Sequence, residues 1–183
     1  MGKDRLSFST LDDETFREFN RLWKYYWREA NKCEESKSYL AGCTMLGSSL
    51  ETMLFLMVDL YPDEAESTGK IPKKNGKIKP FLAWNLGELL RVAKAAGWLS
   101  SALDLEDEWD FKKAKIGDYA EIVRMVRNLS HPARYSQDHF GKRITKKYFD
   151  RLYEIVDACR KWLLQHVETS ILVDIKDKNL EKS

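Results

Sequence analysis

Seven residues, Tyr39, Cys43, Leu46, Leu50, Met53, Met57 and Leu60, recur at steps of 4, 3, 4, 3, 4 and 3. This spacing places them on one face of an α-helix and is incompatible with a strand, whose faces alternate every second residue. Leu54 and Leu56 widen the stripe, which predicts a helix covered on more than one side. Gly42, Gly47, Ser48 and Ser49 are small enough to let another backbone approach closely. The run from Tyr39 to Tyr61 is long enough to span a bilayer, but Glu51, Asp59 and its Ser, Thr and Gly content disfavour insertion. A central core helix is expected, with no membrane partner.

The same periodicity dominates elsewhere. Phe16, Phe19, Trp23, Tyr26 and Ala30 form a first helix, capped by Thr10 or an adjacent acidic residue. Pro62 is expected to end the second helix. A third is predicted from about Phe81 to Trp98, a fourth from about Asp118 to His131, and a fifth from about Ile144 to Thr169. ILVDI near the end is the one strand-like run. These features predict an all-α fold, a four- to five-helix up-and-down bundle, as one domain over 1–172 with a polar C-terminal tail over 173–183. A chain of 183 residues can bury roughly 70% of its unfolded surface and needs neither metal nor disulfide to fold.

The connector over 63–80 is first acidic and then basic. Its second part, GKIPKKNGKIKP, holds five lysines, two prolines and two glycines. It is expected to be a solvated, mobile loop, with an electrostatic arm for a phosphate backbone as the alternative. The net charge of +2 is too small for whole-molecule attraction to polyanions, so nucleic-acid binding requires local clustering.

Three cysteines with no CxxC suggest buried free thiols and a reducing, cytoplasmic setting. No histidine lies at ligand spacing from a cysteine or another histidine, so neither a metal site nor a cofactor is expected. GxGxxG, GxxxxGK[ST] and GxSxG are absent.

The stretch RMVRNLSHPARY, from Arg124 to Tyr135, carries the chemistry. In one helix Arg127 and His131 share a face at roughly 5–6 Å between Cβ atoms, and Arg124 returns to that face. Asn128 flanks it, while Val123, Val126 and Leu129 form an apolar side. Pro132 disfavours the α conformation at His131 and so places the helix end there. Basic residues in a last helical turn also satisfy free carbonyls, which is the purely structural alternative.

Helices with Arg-Asn and then His late in the chain resemble the HEPN superfamily, and GSSLETML resembles its small-residue-rich second-helix region. The family's arginine is usually followed by a polar residue, with four to six residues before the histidine. Here three residues separate Arg127 from His131, and six separate Arg124 from it. The resemblance covers about 36–166. It implies Arg127, Asn128 and His131 as catalytic residues, with Arg124 as the alternative arginine. The implied activity is metal-independent RNA cleavage of a toxin or phage-defence type at the cleft of a homodimer. Two further readings are an RNA- or nucleotide-binding module using Arg134, Tyr135, Lys142 and Arg143 without cleavage, and a scaffold for an antitoxin or other protein partner.

Overall fold

The computed structural model describes residues 6–99, 126, 129, 132–139 and 143–180. The protein is all-α apart from one short hairpin among these residues. Helix α1 spans Asp13–Glu35. Its N-cap is Asp12, whose carboxylate accepts the Thr15 N–H at 2.7 Å, and Asp13 and Glu14 complement the dipole. At its other end Lys37 takes a left-handed φ of 60°, and Ser38 N–H reaches back to Cys33 O at 2.7 Å. That turn satisfies late carbonyls and reverses the chain within three residues.

Helix α2, Tyr39–Leu60, follows with the bounds its periodicity predicts. Leu46, Leu50, Leu54 and Val58 are fully enclosed. Helices α1, α4 (Leu86–Ala95) and α6 (Lys146–Leu180) all pack against α2, which explains why its burial extends beyond one stripe. Ser49 Oγ, inside this interface, donates to Trp23 O of α1 at 2.9 Å, so its hydroxyl is not left unpaired. α2 is the one helix among the described residues long and apolar enough to cross a membrane, and 72% of its most apolar window is buried within the protein. Most of its apolar surface is therefore already covered by protein, with Leu40 and Leu60 exposed near its ends.

α2 ends at Leu60, just before Pro62, as expected. Pro62 also opens α3, Pro62–Ser67, where proline's missing N–H costs nothing in a first turn. Other local expectations are corrected. The expected third helix is divided. Phe81–Ala83 is a 3-10 turn, Trp84 is extended, and Asn85 caps α4 in a reciprocal capping box with Glu88. ILVDI is helical, lying within α6, which continues to Leu180 and takes in most of the polar tail. β-branched residues tolerate a helix that arrives already propagating, because extension adds a hydrogen bond without a new nucleus.

The basic connector is likewise no featureless loop. β1 (Lys73–Lys74) and β2 (Lys77–Ile78) pair antiparallel, with Lys73 opposite Ile78 and Lys74 opposite Lys77. Asn75 (φ 52°) and Gly76 (φ 75°) supply the two left-handed residues that a tight two-residue turn needs. Aromatic packing fixes its base. Phe81 and Trp84 contact Phe8 at ring separations of 5.5 and 5.3 Å, and Phe55 of α2 closes on Phe81 at 5.2 Å.

Candidate functional site

Val126, within RMVRNLSHPARY, meets α2 at its small-residue face. Val126 and Leu129 are helical, and Leu129 is buried in the core. Val126 lies where a side chain at Gly47 would project. Gly42, further along α2, is equally constrained: an added Cβ would stand 2.6 Å from Phe149 Cε2 of α6. The absence of side chains at these glycines thus admits both the Val126 segment and α6 to α2.

Arg124, Arg127, Asn128, His131 and Lys142 lie outside the described residues, as does most of the expected fourth helix. Pro132 opens helix α5, Pro132–His139, so a new helix starts where the sequence predicts an end. Arg134 belongs to α5. Tyr135 is half-buried and packs against the core, which limits the stacking surface expected of it. Arg143 is exposed just before the buried Ile144.

Sequence reasoning missed the carboxylates around α2 and α3. Burial pushes the Glu51 carboxyl above the usual range, and the nearby Leu86 backbone at the start of α4 offsets this only in part. Asp59 Oδ1 accepts Leu11 N–H at 2.6 Å, and Glu66 accepts Ser7 N–H at 3.0 Å. Glu64 Oε2 accepts Trp98 Nε1 at 2.6 Å and stands 3.4 Å from His166 Nε2. Tyr61 meets the His166 ring edge-on at 4.9 Å. These contacts fasten the N-terminal segment and α6 to the α2–α3 corner. Acidic residues dispersed along a chain carry no spacing signal for such tertiary caps.

Cys43 and Cys159 are buried, and loss of solvent pushes both thiols up to about 12, which leaves them inert as nucleophiles. Among the described residues, no three His, Cys, Asp or Glu side chains converge as metal ligands. Comparisons with family models, curated proteins and solved structures gave no match.

Proposed function

We propose that this protein is a metal-independent endoribonuclease of a toxin or phage-defence type, a HEPN-like helical bundle acting in the cytoplasm as a homodimer. The supporting observation is the inward packing of Val126 and Leu129, with Val126 against Gly47. A helix that presents Arg127 and His131 on a basic side needs its apolar side held in this way.

The reaction follows from the residue types. One His131 takes the proton of an RNA 2′-hydroxyl, whose oxygen attacks the adjacent phosphorus. The bond to the 5′-oxygen breaks, and that oxygen receives a proton from the His131 of a second copy. The products are a 2′,3′-cyclic phosphate and a free 5′-hydroxyl. Arg127, or Arg124, stabilises the charge gathering on the phosphate oxygens, and Asn128 orients the histidine or the phosphate.

The test is cleavage of end-labelled RNA by purified protein in excess EDTA, beside His131→Ala. Cyclic-phosphate ends from the wild type alone are expected, with unchanged helix content in the variant. Equal cleavage by both proteins would remove His131 from the mechanism. RNA binding without cleavage by either would replace the enzyme with an RNA-binding module. Association with a protein partner but not with RNA would favour a scaffold.

A further inference from the structure

Lys70, Lys73, Lys74 and Lys77 fall within eight residues on and beside a hairpin whose tip is exposed. None of the four has a carboxylate within ion-pair distance among the described residues. Lys74 and Lys77 stand directly across the ladder from each other, an arrangement that disfavours the hairpin through like-charge repulsion. A cleft of about 650 Å³ opens beside them, lined by Lys74, Asn75, Lys77, Lys79, Pro80 and Ala83.

The base of the hairpin is held firmly. Lys79 N–H donates to Pro72 O at 2.9 Å, and Trp84 Nε1 donates to Lys79 O at 3.2 Å. Lys79 Nζ pairs with Glu88 at 2.6 Å, with both side chains mostly covered. Ile71 and Ile78 pack against the core. The repelling lysines are thus carried on an anchored finger, and an anion between them would relieve the repulsion.

We infer that the Lys70–Lys77 hairpin is a phosphate-gripping finger that binds the backbone of single-stranded RNA. This inference rests on the ribonuclease reading for the identity of the polyanion. Lysines at the tip neutralise successive phosphates without reading bases, so binding is sequence-tolerant and strongly salt-dependent.

The experiment is fluorescence anisotropy of a labelled single-stranded RNA of mixed sequence, titrated at several salt concentrations. The test variant is Lys70→Gln/Lys73→Gln/Lys74→Gln/Lys77→Gln, which keeps the Asn75-Gly76 turn and the Lys79–Glu88 pair. Lys24→Gln/Lys37→Gln/Lys147→Gln is the control for loss of charge elsewhere. Circular dichroism and Tm establish that both variants fold.

The hairpin variant should bind at least about ten-fold more weakly, with a log–log salt slope shallower by about 2–3. The control should stay within about two-fold of the wild type. No RNA binding by the wild type would overturn the inference, as would equal weakening by the control. Binding to anionic phospholipid vesicles in place of RNA would also overturn it. Wild-type RNA binding without cleavage would end the ribonuclease reading and leave the finger standing. Cleavage with the same KM in the hairpin variant would do the reverse.

Discussion

Val126 occupies the space that a side chain at Gly47 would need: a Cβ built there would collide with both of its methyl groups and press on its Cβ. The contact joins α2 to the residue that directly precedes Arg127 in the chain. Gly47→Ala gains up to about 1 kcal/mol of helix propensity, against about 1–3 kcal/mol for overpacking. A net loss of about 1 kcal/mol is expected, with a Tm fall of about 2–4 °C. Val126→Ala in that background should recover the loss, with a coupling energy of about 0.5–3 kcal/mol in the double-mutant cycle. Additive effects of the two substitutions would argue against the contact.

Glu51 predicts a pH effect with a definite sign. Burial raises its folded-state value above 4.5. From 4.5 up to that raised value the folded state holds the extra proton, so stability falls as pH rises through this window. Asp59, also raised by burial against the Leu11 N–H, acts in the same direction from 3.8 upward. In Asp157 desolvation is outweighed by Lys161 and Arg160, which hold the carboxyl below 3.8, so its contribution is lost only at lower pH. Urea unfolding across the acid-to-neutral range should show a smaller decline for Glu51→Gln than for the wild type. An unchanged profile would mean that Glu51 is not desolvated on folding.

The Lys79–Glu88 pair should hold the hairpin to α4. The side chains are only 16% and 18% exposed. Desolvation pushes the Glu88 carboxyl upward, but Lys79 and the Asn85 N–H together bring it below the usual range. Removing the ammonium leaves a poorly solvated carboxylate, so Lys79→Met should cost about 1.5–3 kcal/mol. Hydrogen exchange should accelerate first at Lys79 N–H, which bridges to Pro72 O. Global acceleration with no local excess would show that the pair supports the fold at large.

Thiol labelling gives an independent check on the core. With Cys43 and Cys159 pushed up to about 12, roughly one such thiol in ten thousand is ionised at pH 8. Native protein should therefore react at Cys33, which is only partly buried, while denatured protein reacts at all three cysteines. Rapid native labelling of Cys43 would mean that the α2 core opens readily.

The legible parts of the chain were those in which side chains report their own surroundings. The 4–3 stripe in α2 and the seam from Phe16 to Ala30 are readable because an amphipathic helix writes its buried face into spacing. The two-residue strands around Asn75-Gly76 are too short to alternate, so composition suggested only a basic loop. Pro62 marked the end of α2, but that it and Pro132 also open helices was not read from spacing, although the proline ring favours a first turn. ILVDI has strand-like composition, but it continues a helix already nucleated upstream.

The sequence by itself determined an all-α protein with a buried α2, and singled out the arginines, asparagine and histidine of RMVRNLSH as candidates. Only the tertiary structure decided what the small residues of α2 admit. Gly47 receives Val126 and Gly42 receives Phe149. It also decided that the lysine connector is an anchored hairpin, with Lys79 paired to Glu88 and Lys70, Lys73, Lys74 and Lys77 without a carboxylate partner among the described residues. The physical reason is the range of the interactions: helix periodicity is local, whereas a void at a glycine, a distant cap or a cross-strand charge pair exists only once separate segments have packed.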